Sequence, residues 1–273
     1  MMPSRAHTWS SGARHRPPNG VFGLAPAEDR AVIAIVIDML WALLWGAVAA
    51  SSLVIGAVLG VLRRWDDRLI GAVLGFGAGA LISSVSFELV GEGLATSGGL
   101  PVAIGLAAGA LAFFLGDRAV ERIGGRSGGG AAGMPLLLGA LLDGIPEQAV
   151  LGIGLAAGEG VSIALLVAIF VSNLPESIGS ATDMRSAGTK SRTIILGWTI
   201  VAILCVLATV GGYGISALVG DSFTGAVDGF AAGALLVMLV GSMIPEATEK
   251  AGNTAGLVAV LGFAVAAGLS AAA

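Results

Sequence analysis

Long apolar stretches dominate this chain, and eight of them are long enough to cross a lipid bilayer. A transmembrane helix needs roughly 17–25 predominantly apolar residues. Stretches of this kind cover, to within a few residues, 36–62, 68–90, 100–116, 134–157, 161–184, 193–218, 223–247 and 252–272. None alternates between apolar and polar residues as a membrane β-strand does. The pattern predicts an all-α polytopic membrane protein with eight transmembrane helices, called spans 1 to 8 in chain order.

The composition agrees with this prediction and excludes a soluble globular protein. Of the 273 residues, 56% are hydrophobic and only 12% are charged, and the mean hydropathy is +0.93. A soluble domain has about 25% charged residues. The 44 glycines follow no Gly-X-Y period, and small residues allow membrane helices to approach closely. The lipid bilayer is therefore the predicted surroundings of the protein, and a nucleic-acid partner is not expected.

The first thirty residues differ from the rest of the chain. They contain four arginines, several prolines and both histidines, a composition typical of disorder. We predict a disordered N-terminal tail at 1–30 and an eight-helix transporter domain at 31–273. Met39 is a second candidate for the start of the protein.

Positive charges predict the orientation in the membrane. Ten of the 14 Lys and Arg residues lie in the loops that follow spans 1, 3, 5 and 7. The loops on the opposite side have none, at 91–99, 158–160 and 219–222. Short loops rich in Lys and Arg remain in the cytoplasm. The sequence therefore predicts a multi-pass cell-membrane protein with both termini outside the cytoplasm.

Two sequence patterns each occur twice, in segments of opposite predicted direction. Gly75–Leu81 in span 2 matches Gly229–Leu235 in span 7 at six of seven positions. Asp143–Glu147 in span 4 and Ser172–Glu176 in span 5 both end in Pro-Glu. These pairs predict an inverted repeat of spans 1–3 and 6–8 around spans 4–5, a plan common in secondary transporters. Chance similarity between Gly/Ala-rich helices is the alternative.

Spans 4 and 5 carry polar side chains near the predicted centre of the bilayer. Asp143 and Glu147 are four residues apart and Asn173 and Glu176 are three apart, so each pair shares a helix face. The central parts of the spans contain no Lys, Arg or His. An ionised acid at this depth costs at least ~2.5–3.5 kcal/mol. The acids are therefore either protonated or share a bound cation.

The prolines add further oxygen ligands to these two helices. Pro146 and Pro175 have no N–H, so the carbonyl groups of Leu142 and Val171 lose their usual helical donors. Carboxylates, an amide oxygen and free carbonyls form an oxygen-rich set that suits a divalent cation. The alternative is that the prolines only kink the helices and the acids are hydrogen-bonded in protonated form.

At these residues the chain resembles the ZIP (Zrt/Irt-like) family of divalent-metal transporters, over residues 40–272 approximately. The resemblance implies eight spans, outward termini and transport of a divalent metal, zinc in that family. By position, Glu147 and Glu176 match the acids that bridge the metal, and Asn173 matches a ligand. Asp143 and Ser172 stand where the family often has histidine.

Several residues differ from the family pattern, and the differences affect which metal the site would bind. Gly144 replaces the usual asparagine of span 4, Gln148 replaces the glycine after the acid, and the core has no nitrogen ligand. Oxygen ligands favour Mn²⁺, Fe²⁺ or Mg²⁺ over Zn²⁺. Zinc is therefore expected from the resemblance, and manganese or iron from the ligand atoms, in each case as transported cargo and not as a cofactor.

Two other classes of function compete with metal transport as interpretations of the sequence. An intramembrane serine or zinc protease needs a histidine within the membrane, and the spans have none, so we expect the protein not to be an enzyme. A proton or monovalent-cation permease, or a non-transporting sensor on the same scaffold, remains as the alternative. A homodimer and a monomer are both compatible with the sequence.

The predicted orientation can be tested by labelling cysteines from each side of the membrane. In a Cys205→Ala background, a cysteine placed within 185–192 should react with an impermeant maleimide only from the cytoplasmic side. A cysteine placed within 219–222 should react only from outside. The opposite labelling would reverse the orientation and remove the geometry on which the inverted repeat depends.

Overall fold

A computed structural model of the protein describes residues 27–126, 133–156, 160–218 and 221–272. Contacts between residues divide the chain into two units, residues 1–37 and residues 38–273. Within the described ranges there are helices and no strands, and eight helices are long and apolar enough to cross a membrane. The prediction of an all-α, multi-pass membrane protein is confirmed.

The helices agree with the predicted spans in number and order. They are Ala27–Leu62, Asp67–Ser97, Gly99–Arg126, Gly133–Ala156, Ile163–Ser186, Ser191–Leu218, the combined segments Asp221–Met238, Leu239–Met243 and Ile244–Ala251 for span 7, and Thr254–Ala272. Several of these helices are longer than the predicted spans, because the helix continues beyond the apolar stretch into polar residues. Span 1 begins at Ala27, inside the predicted tail, and residues 1–26 of that tail lie outside the described ranges.

Local sequence signals set the turns between consecutive helices. Asp66 begins span 2 as an N-cap, since its Oδ1 accepts hydrogen bonds from the backbone N–H groups of Arg68 at 2.9 Å and Leu69 at 3.3 Å. Gly98 separates spans 2 and 3 with φ of 79°, a left-handed conformation that glycine adopts without a Cβ clash. Such short turns make neighbouring helices antiparallel.

Spans 2, 5 and 7 form the interior of the helix bundle. In their most apolar stretches, 67%, 61% and 56% of the residues are buried, compared with 22% and 17% for spans 3 and 8. The outer helices expose large apolar side chains, among them Leu111, Leu257 and Val260. An apolar exterior of this kind is what contact with lipid chains requires.

Glycines bring the outer helices against the inner ones. Span 2 packs on span 8, where a Cβ on Gly79 would overlap the carbonyl oxygen of Ala259. Span 7 packs on span 3, where a Cβ on Gly233 would overlap the carbonyl oxygen of Leu106. The contacts are reciprocal, because Gly262 of span 8 meets the Phe76 carbonyl and Gly109 of span 3 meets the Phe230 carbonyl. Both glycine-rich segments therefore serve as close helix-packing surfaces.

We expect Gly79→Ala to destabilise the protein because the added methyl group would force spans 2 and 8 apart. Overpacking of this kind costs roughly 1–3 kcal/mol, which should appear as a lower thermal unfolding temperature of the purified protein in detergent. Gly256→Ala in span 8 is the matched control, since a Cβ there meets open space. Equal unfolding temperatures for the two variants would contradict the proposed close contact.

Candidate functional site

The two Pro-Glu segments lie inside unbroken helices. Span 4 runs through Pro146 and span 5 through Pro175, each as a continuous helix of 24 residues. Proline has no N–H to give, so the carbonyl groups of Leu142 and Val171 remain without their helical donors, as predicted. Each helix therefore offers a free carbonyl one turn before its glutamate.

Glu147 is the most enclosed of the three acids among the predicted site residues. Its side chain is 1% exposed, and Ser172, which is fully buried, lies with its Oγ 3.1 Å from Glu147 Oε1. Asn173, also buried, is close enough to stabilise the carboxylate electrostatically. Glu147 Oε2 makes no hydrogen bond of good geometry with the described part of the chain. One carboxylate oxygen is thus held by span 5, while the other makes no such bond there.

Asp143 lies one turn from Glu147 and is half-buried. Ser242 of span 7 donates a hydrogen bond from its Oγ to Asp143 Oδ2 at 2.8 Å. Among the charges that act on this carboxylate are those of Asp117 and Glu246, which are themselves negative. Asp143 is therefore stabilised by a hydroxyl group and not by a cation.

Glu176 brings the acids of spans 4, 5 and 7 into one electrostatic group. Its carboxylate is repelled most by Asp143, then by Glu147 and then by Glu246. The charges of these acids thus act on one another, and Ser172 donates a hydrogen bond to Glu147 Oε1. Nevertheless, among the described residues no three or more His, Cys, Asp or Glu side chains form a group that could hold a metal ion. Metal binding by these residues stays a prediction.

Three further residues near the acids were not singled out from the sequence as part of the site. Ser242 contacts Asp143, as described above. Thr209 of span 6 donates from its Oγ1 to Oε1 of Gln148 at 2.6 Å, and both residues are fully buried. Cys205, also in span 6 and fully buried, packs its sulfur against Gly144 and is close enough to be influenced by Glu147. Span 6 thus contributes a hydroxyl and a thiol, although it has no carboxylate.

A separate polar cavity of about 750 Å³ opens at the end of the bundle that carries the basic loops. It is lined by Asp66, Asp67, Arg68, Asp183, Glu246, Glu249 and Lys250. Glu246 connects it with the deep acids, because its charge acts on both Asp143 and Glu176. Lys250 Nζ lies 2.9 Å from Glu246 Oε1. The cavity and the deep acids are thus linked electrostatically through Glu246.

The fold and the site together define an eight-span membrane protein with an acidic, hydroxyl-lined interior. No model of a known protein family matches the chain, and no curated protein matches it in sequence. The resemblance to the ZIP family therefore stays a prediction based on the Pro-Glu segments.

The buried bond between Thr209 and Gln148 should contribute measurably to stability. In Thr209→Val the Gln148 amide loses its hydroxyl donor, and its Nε2 is already without a partner among the described residues. An unsatisfied buried polar group costs about 1–3 kcal/mol, so we expect a lower unfolding temperature in detergent. Thr199→Val is the control, because that hydroxyl bonds only to the Ile195 carbonyl of its own helix. A larger loss in the control would argue against the interhelical bond.

Proposed function

We propose that the protein transports a divalent metal cation across its membrane. The observation that supports this most is a group of acids without a cationic partner. Glu147 is 1% exposed and carries a carboxylate oxygen that makes no hydrogen bond of good geometry with the described residues. Asp143 and Glu176 lie near enough to repel it and each other. Repelled, desolvated carboxylates are stabilised by a cation that arrives from outside the protein.

The atoms available to the cargo are oxygens for the most part. Carboxylates of Asp143, Glu147 and Glu176, the Asn173 amide and the Ser172 hydroxyl make up the proposed binding set. Such a set suits manganese or iron, while zinc is the cargo that the family resemblance favours. Transport also requires that binding be weak enough for release, and an open arrangement of acids meets this requirement better than a closed cage.

We further propose that spans 1–3 and 6–8 form an inverted repeat. Three features recur in spans 2 and 7 at a constant separation along the chain. Gly75 and Gly79 correspond to Gly229 and Gly233, and each pair packs against a single outer helix, span 8 or span 3. The π-helical turns begin at Val85 and Leu239, which are separated by the same 154 residues as Gly75 and Gly229. A related architecture with its site between the two halves is typical of secondary transporters.

A proton or monovalent-cation permease is the second candidate. It is favoured by one observation, namely that the described residues contain no group of His, Cys, Asp and Glu that could hold a metal ion. The same buried acids could bind protons in turn, since a carboxyl group in an apolar interior can carry a proton without a fixed ligand geometry.

Uptake by purified protein in proteoliposomes tests both candidates. With Mn²⁺, Fe²⁺ and Zn²⁺ offered separately, Glu147→Gln and Glu176→Gln should abolish uptake, because the amide keeps the shape of the side chain but not its charge. Asn173→Ala should reduce uptake by about tenfold, equivalent to the loss of ~1.4 kcal/mol of binding. Unfolding temperatures should show that each variant remains folded.

Asp228→Asn is the matched control for these variants. Asp228 is an acid of span 7 and is 6% exposed. Burial is the influence on its carboxyl group, and the charges of the deep acids have no resolved effect on it. Its uptake should stay close to that of the unmodified protein. Proton flux detected with a pH-sensitive dye, in the absence of uptake of any of the three metals, would reject metal transport in favour of the permease.

A further inference from the structure

The helices of spans 2 and 7 are each interrupted by a π-helical turn. The turns cover Val85–Gly91 and Leu239–Met243. A π turn accommodates an extra residue within an α-helix, which rotates the side chains around it by about 100° relative to an uninterrupted helix. Such turns are frequent at functional sites. In this protein they change which side chains of the two central helices face the interior.

Equivalent positions in the two turns make hydrogen bonds between helices. Glu88 stands thirteen residues after Gly75, and Ser242 stands thirteen residues after Gly229. Ser270 of span 8 donates to Glu88 Oε1 at 2.6 Å. Ser242 donates to Asp143 Oδ2 of span 4 at 2.8 Å. Each π turn thus directs one polar side chain toward a neighbouring span.

The direction of the Ser242 hydroxyl is unusual for a serine in a helix. Such hydroxyls commonly bond to the carbonyl four residues earlier in their own helix. Ser86 does so with Ile82 at 2.7 Å, and Thr248 with Ile244 at 2.8 Å. Ser242 instead reaches the carboxylate of another span, and it lies within the π turn, where the regular pattern of backbone carbonyls is interrupted.

We propose that Ser242 is a positioning residue that sets which cations the site accepts, an inference that rests on the proposed metal transport. By donating to Asp143 Oδ2, the serine uses one lone pair of that oxygen and holds the carboxylate in one orientation, which disfavours bidentate binding of the cargo. Large cations such as Ca²⁺ take six to eight oxygens and often use both oxygens of a carboxylate. Smaller transition-metal ions need fewer ligands. The bond between Ser242 and Asp143 thereby disfavours Ca²⁺ at the site.

The bond also limits the rotation of the Asp143 carboxylate. Asp143 exerts the strongest repulsion on Glu176 and also repels Glu147. Because it is hydrogen-bonded to Ser242 of span 7, the Asp143 carboxylate cannot rotate freely toward Glu147 and Glu176. The hydroxyl therefore fixes the orientation of the Asp143 carboxylate. In the ZIP family, which the sequence resembles, this position often holds a histidine, whose rigid ring fixes the direction of its nitrogen atoms.

Competition between Ca²⁺ and Mn²⁺ in proteoliposomes tests this role. In Ser242→Ala, the Asp143 carboxylate loses this restraint on bidentate binding, and Ca²⁺ should inhibit Mn²⁺ uptake at concentrations about tenfold lower than in the unmodified protein. Ser242→Thr keeps the hydroxyl and should restore the original inhibition. A double variant, Gly241→Ser with Ser242→Ala, moves the hydroxyl by one residue to an exposed position and should behave like Ser242→Ala.

The outcomes separate this inference from the proposed function. Absence of any divalent uptake by the unmodified protein would reject metal transport itself. Uptake with equal Ca²⁺ inhibition in all variants would reject the role of Ser242 alone. A uniform loss of uptake in Ser242→Ala, with unchanged relative inhibition by Ca²⁺ and no rescue by threonine, would assign the serine a structural role only.

Infrared spectroscopy tests the positioning even if no metal is transported. The carboxyl band of Asp143 is obtained by subtracting the spectrum of Asp143→Asn from that of the unmodified protein. Ser242→Ala should shift this band, because a carboxyl oxygen loses its hydrogen bond. Ser86→Ala, which removes a hydroxyl bonded only within its own helix, should leave it in place. An unshifted band in Ser242→Ala would overturn the inference.

Discussion

The cost of placing carboxyl groups in hydrocarbon is the constraint on which the rest of this structure depends. Spans 4 and 5 carry three acids near the predicted centre of the bilayer, and each would cost at least ~2.5 kcal/mol if it faced lipid in ionised form. The bundle therefore surrounds them, and Glu147 is 1% exposed although its helix crosses the membrane. Hydroxyl groups from spans 5 and 7 then supply the hydrogen bonds that lipid cannot. Spans 3 and 8, which carry none of these acids, have the smallest buried shares of the eight spans.

Close packing of the outer helices makes this enclosure effective. Between two apolar helices in lipid there is little hydrophobic driving force, so association depends on backbone proximity and van der Waals contact. Gly79 and Gly233 provide this proximity at the contacts of span 2 with span 8 and of span 7 with span 3. With the outer helices held in this way, spans 2 and 7 lie inside the bundle and can direct polar residues of their π turns to neighbouring spans.

The sequence predicts the spans well because they depend on composition, and it indicates the deep acids from their distance along one helix. An apolar stretch needs no partner to be recognised, and the i,i+4 spacing of Asp143 and Glu147 fixes their common face. The contacts of Ser242, Thr209 and Cys205 could not be predicted in the same way. They depend on which helices become neighbours and, for Ser242, on a π turn that shifts the helical register. Hydropathy has no signal for such a shift, although the recurrence of polar residues 88 and 242 could have suggested one.

The placement of positive charge gives the site its proposed chemistry. Lys250 is bonded to Glu246 at 2.9 Å beside the cavity at the end of the bundle, and spans 4 and 5 have no basic residue among the acids. A lysine in the interior would neutralise these carboxylates permanently and would compete with any cation from outside. Serine hydroxyls stabilise Glu147 and Asp143 without cancelling their charge. In the proposed function, these carboxylates therefore stay available to a mobile cation that binds and leaves again, which is the property a transport site needs.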